Sequence, residues 1–140
     1  VKVGAASKVE LKEKKDRVED AIYATKAALK EGIVPGGGIA LLNAAQEIKP
    51  NGWGEEILLN AIKVPYQTIL DNAGILEAVE PTDGKGIDVT NGNTCEMIKH
   101  GIIDPVLVTK SALKNAVSVV TTIISADCII SNMRGDASSK

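Results

Sequence analysis

Apolar side chains recur at helical spacing along most of this chain, and turn residues gather near residues 32–38, 49–54 and 82–92. Ser7 followed three positions later by Glu10 is a capping-box pattern, in which hydroxyl and carboxylate each accept an otherwise unpaired amide hydrogen. A helix is therefore predicted from Lys8, running without Gly or Pro to Gly32 over about 24 residues and about 36 Å. Gly32 is expected to supply a left-handed cap. The first half, LKEKKDR, is charged all round, whereas Val18, Ile22, Thr25 and Leu29 form one apolar stripe, so deep burial is expected only in the second half. Asp20 falls on the side away from that stripe and shares its face with Ala24 and Ala27, whose small side chains leave room for an approaching group. Spacing alone makes it a solvated helix carboxylate. The opening VKVGA alternates briefly and reads as the end of a strand.

The run GIVPGGGIALLNAA places Pro35, Gly36, Gly37 and Gly38 before an apolar helix at about 39–48. Amides at such a turn can hold an anion, and the missing side chains admit either a ligand or a neighbouring helix. KPNGWG is turn chemistry. EEILLNAIKVPYQTILDNAG then gives a helix with apolar Ile57, Leu58, Ala61, Ile62, Ile69 and Leu70, kinked or broken near Val64 and Pro65 and closed by Gly74. A short helical piece, ILEAVE, precedes Pro81. IDVT and NTCE flank Asn91-Gly92, which predicts a two-stranded ribbon with a type I′ turn. Asp104-Pro105 reads as a cap and first-turn proline of a helix through Val108, Ala112, Ala116, Val119, Val120, Ile123 and Ile124. Apolar on almost every side, that helix is expected to be sandwiched in a bundle. CIIS suggests a last strand before a polar tail, in which Arg134-Gly135-Asp136 is read as a chance tripeptide.

Composition narrows the function classes. The 140 residues, 44% apolar and 24% charged, suffice for one core, and a net charge of -2 argues against a nucleic-acid footprint or a basic membrane face. No run approaches 18 uninterrupted apolar residues and no leader pattern opens the sequence, so neither a membrane span nor an export signal is expected. Phe is absent, leaving Trp53, Tyr23 and Tyr66 as the aromatics, so aliphatic residues must fill the interior. Cys95 and Cys128 sit in apolar runs and read as reduced, buried and structural. His100 and these thiols lack the spacing of a zinc site. Dinucleotide, Walker and nucleophile-elbow patterns are missing, which leaves a helical domain with a glycine turn and placed carboxylates.

The order of motifs carries more. KVGAASKVELKEKKDRVEDAIYATKAALKEGIVPGGGIALL closely resembles the segment of group I chaperonins (GroEL type) that joins the intermediate to the equatorial domain, and GIDVTNGNTCEMIKHGIIDPVLVTKSALKNAVSVVTTIISADCII resembles the last part of that equatorial domain. The resemblance implies a mainly α fold: the carboxy-terminal half of an equatorial helical domain with a small β-hairpin, preceded by the long intermediate-domain helix. Implied boundaries are 1–31 for the end of the intermediate domain, 32–133 for the equatorial part and 134–140 for the tail. It also implies an ATP-driven folding machine of stacked seven-membered rings. Such rings enclose non-native polypeptides with a cochaperonin, in the cytoplasm of a bacterium or from a phage, or in an organelle matrix.

By the same resemblance, Asp20 of VEDA is catalytic, ordering Mg2+ and the water that attacks the γ-phosphate, with K+ as a further ion. Gly37 is a backbone contact to the nucleoside, with Gly36 and Gly38 forming the turn. Asp104 contacts the ribose, Ile102 walls the base, and Asp88, Val89 and Thr90 lie against the adenine. Val89 and Thr90 are bulkier than the small residues usual there, and Ile87 replaces an aromatic common in the family. No G-D-G-T-T phosphate loop and no apical domain occur in these residues, and the Gly-Gly-Met tail repeats are missing. The chain is thus expected to be a carboxy-terminal fragment, inactive alone and prone to self-association. The alternatives are a nucleotide-independent helical scaffold of the same descent and a small anion-binding domain using the glycine turn.

Overall fold

The computed structural model describes residues 1–75, 81, 83–128 and 130. Helix α1 spans Lys8–Glu31, and Ser7 Oγ accepts the Glu10 N–H at 3.2 Å as the capping pattern predicts. The reciprocal bond shifts by one residue: Glu10 Oε2 accepts the N–H of Ala6, at 3.2 Å. Gly32 ends the helix by donating to the Ala28 carbonyl, with a positive φ of 87° but a ψ of -167° that lies outside the left-handed helical region. Glycine is still required there, since L side chains avoid that positive φ. The opening residues 1–5 form no strand.

The expected apolar stripe of α1 is not its packed face. Ile22 and Leu29 are 40% and 83% exposed, and Ala27 is the one buried residue of the helix. Ala27 lies about two turns from Asp20 on the same side of the helix. Helix α1 also packs against strand β4 (Ile103–Pro105).

Strand β1, Ile33–Pro35, pairs antiparallel with β4, in the register Ile33 with Pro105, Val34 with Asp104 and Pro35 with Ile103. This small sheet is not foreshadowed by the sequence pattern and corrects the expectation at its second strand. Asp104 is a strand residue rather than a helix cap, and helix α5 begins one residue beyond Pro105, at Val106. The Val106 amide hydrogen is taken by the Gly32 carbonyl at 3.1 Å, so the end of α1 and the start of α5 are tied to one residue.

Gly38, with φ 81°, opens helix α2 (Ile39–Glu47). Helix α3 covers Trp53–Ala61 and α4 covers Val64–Asn72, so the expected break falls at Ile62 and Lys63 and puts Pro65 in the first turn of α4, where its missing N–H costs no helical bond. Leu59, Ile62, Tyr66 and Leu70 are the buried residues of this stretch, whereas Ile57 and Ile69 stay open. Spacing of three, four and four keeps the buried set on one side through the break. The core joins Ile39, Leu42, Tyr66, Leu70 and Met97, with Ile75, Ile87, Cys95 and Ile102 against it.

Strands β2 (Lys85–Asp88) and β3 (Asn93–Glu96) form the predicted ribbon, with Asp88 opposite Asn93. The turn is not type I′, because Gly92 has positive φ (72°) but Asn91 does not. The Asp88 carbonyl instead accepts from the amides of Asn91 and Gly92, at 3.2 and 2.8 Å, which makes a four-residue loop of Val89–Gly92. Val89 and Thr90, expected at the end of a strand, lie in that loop.

The described residues divide into two units, one up to Thr109 and a second from Lys110 onward. Helix α5 runs from Val106 to Ile124 with no buried residue, against the expectation of a sandwiched helix. By length and mean hydropathy alone its 19 residues could cross a membrane. It nevertheless carries Lys110, Lys114 and Asn115, and a packed helix of a water-exposed domain has the same composition. Thr121, Thr122 and Ser125 turn their hydroxyls back onto carbonyls of the preceding turn. Both cysteines are free; Cys95 is half-buried, but Cys128 is exposed, correcting the expectation of burial. Cys128 and Ile130 belong to no strand, while the rest of CIIS, most of ILEAVE and the Arg134-Gly135-Asp136 tripeptide lie outside the described residues.

Candidate functional site

The glycine turn and the segment before Asp104 meet through the β1–β4 sheet. Beyond the last strand pair the ladder continues with the Gly36 amide donating to the Ile102 carbonyl at 2.9 Å. A β-carbon on Gly36 would lie 3.1 Å from the Ile102 carbonyl carbon and the Ile103 nitrogen, and one on Gly38 would lie 2.9 Å from the Tyr66 nitrogen. Protein packing therefore fixes Gly36 and Gly38. Gly37, at φ 66°, faces only the tip of the Met97 side chain, at 3.0 Å. Of the three, it is the one whose neighbour is a flexible side-chain end, and neither its N–H nor that of Gly38 has an acceptor among the described residues.

Met97 connects the ribbon to this turn. Its amide donates to the Gly84 carbonyl and its carbonyl accepts from Ile102, at 3.1 and 2.9 Å, while its side chain reaches Gly37 and Gly86. A β-carbon on Gly86 would come within 2.8 Å of Ile39 Cγ1. The sequence pattern does not single out Met97 or Tyr66 for this role; the one signal for Met97 is its apolar position directly after NTCE.

Asp88 ties its own loop together. Its carboxylate accepts from the Thr90 hydroxyl (2.6 Å), the Thr90 amide (3.0 Å) and the Asn91 side-chain amide (2.8 Å). The Thr90 hydroxyl first, then the Thr90 amide, with the charge of His100 and the Asn91 amide, hold the Asp88 carboxyl below the usual carboxylate value. Because the folded value is the lower one, the loop gains stability from ionised Asp88 above the ordinary carboxylate value and loses it as pH falls through the folded value. The Thr90 amide proton shift should therefore titrate with a midpoint below about 3.9, and Asp88→Asn should abolish that titration. A midpoint at or above the ordinary value would contradict the loop geometry.

Ile102 is half-buried at the edge of the core, while Asp104 and Thr90 are exposed. The fold thus gathers Gly36, Gly37, Gly38, Ile102 and Asp104 around one short sheet and attaches the loop of Asp88, Val89 and Thr90 through Met97 and Gly86. Asp20 is placed separately, on the α1 face that carries Ala27. Glu10, Glu13 and Glu19 of that helix pair with Lys14, Arg17 and Lys15 one turn away, whereas Asp16 and Asp20 have no hydrogen bond or ion pair among the described residues, and of these two Asp20 is the nearer to Ala27 along the helix. The Asp20 carboxylate is uncommitted. No group of three metal-ligating side chains occurs among the described residues. A lone carboxylate suits Mg2+, which keeps waters and phosphate oxygens in its shell and takes one or two protein carboxylates.

The family described as the TCP-1/cpn60 chaperonin family matches residues 1–134, and the chain belongs to that family. It is also similar to a solved structure described as "Crystal structure of group III chaperonin in the open state", with a TM-score of 0.75 and 27% identity over 91% of this chain. The chain spans 30% of the length of that relative.

Proposed function

We propose that this chain is the carboxy-terminal part of a chaperonin ATPase subunit, supplying the nucleoside side of the pocket and the acid that promotes ATP hydrolysis. The single observation that carries the reading is the joining of the glycine turn to Ile102 and Asp104 by the β1–β4 sheet, alongside a helix whose Asp20 is unpaired among the described residues. Gly37 offers its backbone, Ile102 an apolar wall and Asp104 an exposed carboxylate able to accept hydrogen bonds from ribose hydroxyls. The Asp88–Thr90 loop stands on the adenine side, although its carboxylate is occupied within the loop. Mg2+ supplies charge neutralisation at the phosphates when bound, and Asp20 is the residue of this chain suited to hold it, with K+ as a further ion.

In this reading the subunit works in stacked seven-membered rings with a cochaperonin and non-native polypeptides, in the cytoplasm or an organelle matrix; the order of VEDA, PGGG and GIIDP supports the group I assignment. The phosphate-gripping loop and the apical domain come from outside these residues, so the chain alone does not turn over ATP. A scaffold reading without nucleotide has one observation in its favour: packing against Ile102, Ile103 and Tyr66 already accounts for Gly36 and Gly38.

Asp104→Ala separates the two readings. The side chain is exposed on β4, so its removal should leave the fold intact. In a subunit of full chaperonin length carrying these residues, ADP affinity measured by calorimetry should fall about ten- to a hundredfold, the worth of hydrogen bonds to a charged group. ADP binding that survives the substitution unchanged would remove Asp104 from the ribose contact, and absence of ADP binding by the parent would favour the scaffold.

A further inference from the structure

Two Asn-Gly pairs, Asn51-Gly52 and Asn91-Gly92, share identical local chemistry in different surroundings. We propose that Asn51 is a site of spontaneous deamidation, while the ribbon holds Asn91 inert. In this reaction the Gly amide nitrogen, having lost its proton, attacks the carbonyl carbon of the Asn carboxamide. The new C–N bond closes a succinimide as the carboxamide C–N bond breaks and ammonia leaves. Water then opens the ring at either carbonyl, giving aspartate or isoaspartate. Three conditions favour it: an open approach to the glycine nitrogen, a glycine N–H that is not donated elsewhere, and a carboxamide free to rotate onto that nitrogen.

Asn51-Gly52 meets them. Both residues are exposed, and a β-carbon on Gly52 would meet nothing within 4 Å. Gly52 is extended, with φ 164° and ψ 170°, and among the described residues its N–H has no acceptor and the Asn51 side chain has no partner. The one bond at Asn51 is from its backbone N–H to Glu55 Oε2, at 2.6 Å, which fixes the approach to α3 without engaging the reacting groups.

Asn91-Gly92 is equally open in space but chemically engaged. The Gly92 N–H donates to the Asp88 carbonyl at 2.8 Å. The Asn91 amide nitrogen donates to Asp88 Oδ2 at 2.8 Å, and its oxygen accepts the Asn93 N–H, also at 2.8 Å. Attack would require breaking all three bonds. Conversion at Asn51, by contrast, adds a carboxylate just before α3, whose first turn already holds Glu55 and Glu56, and the isoaspartyl product lengthens the backbone there by one methylene.

Peptide mapping by mass spectrometry after incubation of the native protein at mildly alkaline pH tests this directly, with a parallel incubation in denaturant. Native Asn51 should convert about tenfold or more faster than native Asn91, a ratio set by the hydrogen bonds that Asn91 must break, and denaturant should bring the two rates together. Asp88→Ala, which removes one of the three restraints, should raise the Asn91 rate in the native protein. Equal native rates, faster conversion at Asn91, an Asn51 that stays intact in the native protein, or an Asn91 rate unmoved by Asp88→Ala would each overturn the proposal.

Discussion

Gly38→Ala is expected to lower the stability of the folded unit by about 2–4 kcal/mol, the sum of a left-handed backbone forced on an L side chain and an overpacked contact. Both terms are visible. Gly38 has φ 81°, and its added β-carbon would lie 2.9 Å from the nitrogen and 3.1 Å from the Cα of Tyr66. Those are backbone atoms at the start of α4, which cannot rotate away. Tyr66 belongs to the same core as Ile39 and Leu42, so relief by moving α4 would open the core. Domains hold only about 5–15 kcal/mol in reserve, so the loss is a large share of the whole. Gly54→Ala is the matched control: it lies in α3 without positive φ, its β-carbon would meet nothing within 4 Å, and it should stabilise by about 0.5–1 kcal/mol. Urea denaturation followed by circular dichroism reads both variants. Equal midpoints for Gly38→Ala and the parent would refute the packing described here.

Asp20→Ala is expected to slow ATP hydrolysis by about a hundredfold or more in the assembled subunit while leaving nucleotide affinity nearly unchanged. The reason lies in how α1 disposes of its charges. Glu10, Glu13 and Glu19 are paired along the helix, but Asp20, like Asp16, has no partner among the described residues, so substitution breaks no structural bond there. Fold and binding should therefore survive. On the proposed function, what is lost is a negative charge that α1 would carry towards the phosphates, and positioning of that kind matters mainly in the transition state. Single-turnover hydrolysis with saturating ATP separates the two effects. A fall in affinity equal to the fall in rate would assign Asp20 a ground-state binding role, and unchanged turnover would remove it from the site.

Local signals in the sequence carry the elements that depend on near neighbours. Ser7, Glu10 and Gly32 bound α1, Pro65 marks the start of α4, and the turn residues around Asn91 and Gly92 mark the ribbon. What is not legible depends on distant partners. Strands of three residues such as β1 and β4 have no periodicity to read, so Asp104-Pro105 looks like a helix cap until Val34 and Asp104 are paired. Apolar spacing puts the packed face of α1 at Val18, Ile22 and Leu29, whereas the residue the fold buries is small Ala27. The family resemblance makes Asp88 a base contact, but only its bonds to Thr90 and Asn91 reveal it as the anchor of its own loop.

The most direct test of the central claim is amide hydrogen exchange of a full-length subunit carrying these residues, with and without ADP. Slower exchange with nucleotide is expected at residues 36–38 and 102–104, the two segments joined by the β1–β4 sheet, with unchanged exchange along the charged first turns of α1. Nucleotide binding without protection of either segment, or no binding at all, would contradict the claim.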